Sequence, residues 1–380
     1  MDLNFTEEQQ MLRDTVRGLC AEHASIEVVR KMEDDPIGFP APFWKQLGDL
    51  GVTGLALPEA YGGGGQSALE AMIVYEELGR ALAPSPHFVS AVLSAGVIAR
   101  AGSEAQKREW LPKLATGAAI FTPAWLEPKG GYGPAGVRLM ATGGGNLTLQ
   151  GSKRHVLFAK AATRLVVLAR TGNGPTDIDL LLVDPNAPGV TLMQQKTMAS
   201  DTQYEVTFQD VPVAASERIG AARGGWAIWE EVMHGGIVLL AAQAMGGAER
   251  ALEITVDYAK TRHQFDKPLG AFQALAHYMA DAATTVDGGR TLVHEAAWAL
   301  ASGRPIRKLA PMAKLFACRA YRDVTAMAQQ VHGGIGFTVE YDIQLFFRRA
   351  KQLQLSFWDD RYLEELVATA ALNERSAARG

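Results

Sequence analysis

Cysteine is nearly absent. The chain has only Cys20 and Cys318 in 380 residues, too few for a disulfide framework or a cysteine metal cluster, so a reducing cytosol fits and no metal centre is expected. An excess of one charge is missing as well. The 37 basic residues are scattered among 41 acidic ones, for a formal net charge of -4, and without a basic stripe nucleic acid is excluded as the expected partner. No apolar run reaches eighteen residues, so no membrane-spanning helix is expected. The opening MDLNFTEEQQ is acidic and polar, which does not read as a signal peptide. The expectation from these absences is a cytoplasmic enzyme or binding protein, long enough for two or three domains and a large core.

What is present falls into three parts. Residues 1–118 read as a helical domain. Thr6 and Gln9 make a capping box ahead of Met11, Leu12, Val16 and Leu19, and further helices fit FWKQLGDLGV, ALEAMIVYEELGRAL, PHFVSAVLSAGVIARAG and EAQKREWLPKLATG, where apolar residues recur at three- and four-residue spacing. Residues 119–220 read as a β-domain, because NLTLQGSKRHVLFA, RLVVLART, DIDLLLVDP, GVTLMQQ and YEVTFQDVPV are short, rich in Val, Leu and Thr, and separated by turn residues. Residues 221–380 return to long helical patterns at about 224–262, 270–301 and 306–331. Helices, strands, then helices is an α+β layout rather than a doubly wound sheet. The Ala-rich tail after Leu372 is expected to fray.

Four glycine-bearing stretches need reading, the last two together. GYGPAG, Gly131 to Gly136, matches the dinucleotide fingerprint in letters only. Pro134 sits inside it and VRLMATGGG follows, whereas the motif works only between a strand and a helix. PEAYGGGGQS lacks the Gly-Lys-Ser/Thr of a phosphate loop and reads as a turn between helices. TRHQFDKPLGAFQ (261–273) and QQVHGGIGFTVEYD (329–342) instead place Arg or Gln beside bare glycine backbone. Such groups can hold a diphosphate and an adenine, although Arg262 alone could equally be a surface ion-pair residue.

Taken together these segments resemble the acyl-CoA dehydrogenase family over nearly the whole chain. The family's Tyr-Gly-Gly turn is matched by Tyr61, Gly62 and Gly63. Its Arg-x-x-Phe-Gly and following Gln are matched by Arg262, Phe265 and Gln273, with Asp266 where Gly is usual. Its Gln-x-x-Gly-Gly-x-Gly is matched by Gln330, Gly333, Gly334 and Gly336. The resemblance implies an N-terminal helical domain, a middle β-barrel and a C-terminal four-helix bundle. It also implies FAD as cofactor, an acyl-CoA thioester as substrate, α,β-desaturation as the reaction, an oligomer built as a dimer of dimers, and an electron-transfer acceptor. In that chemistry a glutamate removes the α-proton, and the carboxylate must be desolvated enough to be basic.

The family builds each flavin site from two chains, and the two contributions differ here. For the set that reaches to a neighbour's FAD, the resemblance implies Arg262 and Gln264 on the diphosphate, Phe265 and Gln273 near the adenosine, and Gln330 with the Gly333–Gly334 backbone closing the clasp. The set that cradles a chain's own flavin is largely missing. Leu126 stands where a flavin-bonding Thr belongs and Tyr132 where a Ser belongs. The family's Trp-Ile-Thr falls on His155, Val156 and Leu157. The catalytic base is missing too. Its two usual positions fall on Phe357, followed by Trp358, and on Gly236, followed by Ile237; neither Phe357 nor Gly236 takes a proton.

Asp359 and Asp360 are the nearest carboxylates, with Glu230 and Glu231 near Gly236. An aspartate is one methylene shorter, and a displacement of about 1 Å at the reacting atom can cost about a hundredfold. The other reading of the aspartates is an acidic start to a helix through RYLEELVATAAL. Three functional expectations follow. The first is the base-lacking subunit of a heteromeric enzyme, of the kind the resemblance links to fatty acid or steroid side-chain β-oxidation. The second is a self-sufficient homomer with a displaced carboxylate. The third is a flavin-free scaffold on the same fold.

Overall fold

The computed structural model describes residues 4–377. Its helices are α1 (Glu7–His23), α2 (Ile26–Lys31), α3 (Ala41–Asp49), α4 (Ala68–Arg80), α5 (Ala95–Ala101), α6 (Glu104–Ala115), α7 (Gly225–Thr261), α8 (Gln273–Ala301), α9 (Leu309–His332), α10 (Ile343–Leu355) and α11 (Asp360–Ala377). The strands are β1 (Phe121–Ala124), β2 (Met140–Thr142), β3 (Leu147–Leu157), β4 (Arg164–Arg170), β5 (Ile178–Val183), β6 (Val190–Gln195), β7 (Gln203–Val213), β8 (Arg218–Ile219), β9 (His263–Gln264) and β10 (Lys267–Pro268). The chain is α+β, with a helical N-terminal part, a middle β part and a helical C-terminal part.

Local chemistry explains the boundaries. The capping box at Thr6 and Gln9 is formed, and Ser67–Glu70 and Ser103–Gln106 repeat it at α4 and α6, satisfying N–H groups that the first turn leaves open. A π-helical stretch, Phe88–Ser94, precedes α5; the periodicity of PHFVSAVLSAGVIARAG does not distinguish it from an α-helix. The short strands β1, β2 and β8 are additions to the sequence reading. β1 carries Pro123 in four fully buried residues and so shows no alternation. The hairpin of β9 and β10 interrupts what reads as a helical region. α11 extends past Leu372 to Ala377, and the last three residues of the tail expected to fray lie outside the described residues.

The residues fall into two compact units. One contains residues up to Val29, Ser67–Ala83 and the chain from Ile237 on; the other contains Arg30–Gln66 and Pro84–Gly236. The second unit is organised by one sheet in the order β6-β7-β3-β2-β4-β5-β8, with β1 paired in parallel to β4. Leu149, Val167, Leu181, Val206 and Phe208 are fully buried in its core. GYGPAG contains a single 3-10 turn at Pro134–Gly136 and does not open a helix.

The first unit is organised around α7, which uses missing side chains to approach its neighbours. A Cβ on Gly246 would stand 1.9 Å from the Glu76 carbonyl of α4, and one on Gly79 would stand 2.0 Å from the Gln243 carbonyl. On another side a Cβ on Gly247 would meet the buried Tyr321 of α9 at 2.5 Å. The close α4 crossing brings Glu76 and Glu77 out of solvent, so they need counter-charges. Arg13 reaches Glu76 at 3.2 Å, Arg17 reaches Glu77 at 2.8 Å, and His294 reaches Glu76 at 3.3 Å. The bond from His294, together with Arg290 and Arg13, holds the Glu76 carboxyl below its ordinary range despite burial.

Gly246→Ala forces backbone apart rather than a flexible side chain. It is expected to destabilise the chain by about 3 kcal/mol, read as a lower denaturation midpoint. A midpoint equal to that of the unsubstituted chain would show that the crossing is not tight.

Candidate functional site

Two groups of predicted residues lie in the first unit. The C-terminus of α7 runs into Arg262, whose N–H donates to the Tyr258 carbonyl at 2.9 Å. The β9–β10 hairpin follows, with Gln264 opposite Lys267. Both central residues of its turn, Phe265 and Asp266, are left-handed at φ +53° and +58°, as a type I′ turn requires. Asp266 tolerates that conformation better than most residues, which accounts for its serving where Gly is usual. Phe265 is 86% exposed, while Arg262, Gln264 and Gln273 are also exposed. Gln273 is the first residue of α8.

The end of α9 supplies the other half of this group. Tyr258 stacks on His332 with centroids 4.4 Å apart, and Tyr341 lies 5.1 Å from the same ring. The turn of α7 before Arg262 is thereby tied to the residue preceding Gly333. Gly333 has φ +65° and ψ -139°, a combination essentially reserved for glycine. A Cβ on Gly333 or Gly334 would meet nothing within 4 Å, so bare backbone faces open space beside the exposed Gln330.

The second group is the loop between α10 and α11. Phe357 and Trp358 are consecutive left-handed residues, at φ +51° and +74°. Each costs about 1–2 kcal/mol in that conformation, so the loop must be held. Lys314 holds it. This lysine of α9 is fully buried, and its ammonium donates to the carbonyls of Leu353 (3.2 Å), Ser356 (3.0 Å) and Trp358 (2.9 Å). Its three hydrogens match three acceptors, offsetting a burial that lowers its pKa. Trp358 is buried 5.4 Å from the Tyr362 ring.

The two aspartates are engaged structurally. Asp359 Oδ1 accepts from the Tyr362 N–H at 3.0 Å, capping α11. Asp360 Oδ2 accepts from Arg319 Nε at 2.9 Å and Gln354 Nε2 at 2.8 Å.

The remaining predicted positions lie in the second unit. A Cβ on Gly236 would stand 2.9 Å from Leu93 and 3.3 Å from Phe88, so apolar side chains close over this position. Near Leu126, Glu127 Oε1 accepts from Lys153 Nζ at 2.6 Å and from the N–H groups of Arg138 and Leu139, each at 2.9 Å. Burial pushes the Lys153 pKa down to about 8, against the opposing pull of Glu127. Trp125 lies 5.3 Å from the buried Trp229 and 5.9 Å from Tyr132, so aromatic side chains crowd this loop. His155 sits at the β3 bulge with Nδ1 2.8 Å from Gln203 Oε1. No group of three metal-ligating side chains occurs among the described residues.

Sequence reasoning missed Lys314, Lys153 and the Tyr258–His332–Tyr341 stack. Lys314 had a usable signal: it is a charge in the small, apolar face that contains Ala310, Ala313 and Ala317, all buried.

Three family models match. Their descriptions are the N-terminal (residues 6–118), middle (123–211) and C-terminal (223–369) domains of acyl-CoA dehydrogenase. The probable acyl-CoA dehydrogenase YngJ of Bacillus subtilis is 32% identical over 366 residues, covering 93% of this chain and 95% of that protein. The fold superposes on butyryl-CoA dehydrogenase from Megasphaera elsdenii with a TM-score of 0.91 at 30% identity, covering 98% of this chain and 100% of that one. A chain of the ChsE4-ChsE5 complex from Mycobacterium tuberculosis gives 0.88 at 28% identity, covering 98% and 99%.

Lys314→Met removes all three loop bonds and leaves their carbonyls buried. It is expected to destabilise the chain by at least about 2 kcal/mol and to alter Trp358 fluorescence. Unchanged unfolding and emission would refute the clamp.

Proposed function

Because the chain belongs to the acyl-CoA dehydrogenase family, oxidoreductases acting on CH–CH groups, we propose that it is the base-lacking subunit of a heteromeric FAD-dependent enzyme. In this reading it contributes the diphosphate- and adenosine-binding half of a flavin site. A second acyl-CoA dehydrogenase subunit contributes the carboxylate, and an electron-transfer protein accepts the electrons. The substrate is an acyl-CoA thioester. The likeness to a chain of the ChsE4-ChsE5 complex supports a two-chain assembly.

The observation that carries the reading is the state of the two base positions. Phe357 occupies one, in a loop clamped by Lys314. Gly236 occupies the other, covered by Leu93 and Phe88. A proton acceptor must lie within hydrogen-bond reach of the α-carbon's proton, and neither residue can serve.

The residues fit FAD unequally. The exposed Arg262, Gln264 and Gln330 and the open Gly333–Gly334 backbone suit a diphosphate, which needs charge-assisted donors and close backbone approach. Leu126 and Leu157 offer no side-chain donor to a flavin ring, and Trp125, Trp229 and Tyr132 crowd the former's loop. When bound, FAD would supply the acceptor for the hydride that leaves the β-carbon. This chain's part is to neutralise the diphosphate with Arg262, to orient it with Gln264 and Gln330, and to cover the adenosine with Phe265 and Gln273.

In the active assembly, Arg262→Ala is expected to lower the bound FAD per heteromer at least tenfold after gel filtration. Asp359→Asn and Asp360→Asn are expected to leave turnover within about threefold, since one residue caps α11 and the other pairs with Arg319. Turnover lost by several orders of magnitude in either aspartate variant would favour the self-sufficient homomer. Undiminished flavin in the arginine variant would remove the clasp assignment.

A further inference from the structure

The first unit contains a cavity of about 400 Å³ that the flavin clasp does not use. It lies among the C-terminal turns of α1 and α4, the last third of α7 and the start of α10. That volume is within the range of small-molecule sites, which run from about 300 to 1,000 Å³. Most of its wall is apolar, with Ala21, Ala24, Ile26, Ile254 and Phe346 among the lining residues. Cys20 belongs to that apolar part, because burial pushes its thiol up to about 12 and keeps it neutral.

The polar part of the wall is uneven. Arg80 is committed to Glu249 at 2.7 Å and to Glu253 at 2.8 Å. Glu77 is committed to the fork of Arg17, whose Nε and Nη2 donate to it at 2.9 and 2.8 Å. Its negative charge is therefore answered within the protein. The Nη1 group of Arg17 has no acceptor among the described residues. Arg250 donates through Nη1 to Glu253 at 3.0 Å, and its Nε and Nη2 have none. Two partly exposed guanidinium groups thus line a largely apolar hollow with donors to spare, while Asp342 at the α10 side places a second carboxylate in the wall.

We infer that this cavity binds a small carboxylate with a short alkyl tail. The carboxylate engages the free guanidinium edges of Arg17 and Arg250, and the tail lies against Ile254 and Phe346. A guanidinium edge matches a carboxylate's two oxygens. The apolar wall gives a tailed anion an advantage that a bare inorganic anion lacks. The site also touches α7 at Ile254, ahead of Arg262, and α10 at its start, ahead of the clamped loop. An occupant would contact both helices that lead to the functional segments. This inference stands whether or not the flavin clasp is correct.

Isothermal titration of the full chain, in its native assembly, with sodium hexanoate is the direct test. The expected dissociation constant is on the order of 1 mM for a ligand of this size. Hexylamine and 1-hexanol should bind at least tenfold more weakly, as should inorganic phosphate. Arg250→Ala should weaken hexanoate about tenfold. Ile254→Trp, which fills the hollow while keeping both arginines, should abolish binding while leaving the unfolding midpoint near that of the unsubstituted chain. No heat from hexanoate at 20 times the expected constant would overturn the proposal. So would equal binding of hexanoate and hexylamine, or phosphate binding as tightly as hexanoate, which would leave only a surface charge effect.

Discussion

The crossing of α4 and α7 is the constraint on which the first unit depends. Two glycines, Gly79 and Gly246, let backbones approach where any side chain would collide with a carbonyl. Gly247 repeats the device toward Tyr321 of α9. Packing this close excludes water from Glu76 and Glu77, and the arginines of α1, α4 and α8 gather around them because a buried carboxylate without a partner is expensive. With α7 fixed in this way, its last turns can stack Tyr258 on His332 and bring the Arg262 segment to the glycine end of α9. The proposed diphosphate clasp would thus be a consequence of helix packing.

The loop after α10 shows the opposite economy. Two bulky residues persist in a left-handed conformation that suits glycine, and a buried ammonium spends all three of its hydrogens to hold them. Strain of this kind survives only where the surroundings over-determine it. In the proposed reading, this held loop is the scaffold of a base position whose occupant is an inert aromatic ring. In the second unit, Glu127 Oε1 is engaged by Lys153 and two backbone N–H groups. Loss of function by drift would degrade both kinds of site. Here Arg262, Gln264 and Gln330, which the proposal assigns to a neighbour's cofactor, are exposed, and the two positions it assigns to proton abstraction hold Phe357 and the covered Gly236.

Much of this was legible in the sequence because it depends on local rules. The capping box at Thr6, the long helices, the five longer strands and the three-part α+β order follow from periodicity and punctuation. The dismissal of GYGPAG required only that no helix could begin at VRLMATGGG. What was not legible depends on contacts between distant segments. The short strand β1 is buried by its neighbours and not by its own pattern, and the π-helical stretch obeys the same apolar spacing as an α-helix. The reach of Lys314 to the loop before α11 is tertiary, although its place in an alanine-rich face was a clue. The cap at Asp359 was readable as chemistry, whereas the pairing of Asp360 with Arg319 was not. The crowding of Trp125, Trp229 and Tyr132 could not be seen from substitutions taken one at a time.

The central claim is that this chain cannot assemble a complete flavin site from copies of itself. The most direct measurement is the visible absorption spectrum of the chain purified alone, together with its mass in solution, before and after a second acyl-CoA dehydrogenase subunit is added. The account predicts a colourless chain that becomes yellow, and active on acyl-CoA, only on joining the second subunit. A yellow homo-oligomer with one FAD per chain that oxidises acyl-CoA unaided would contradict it.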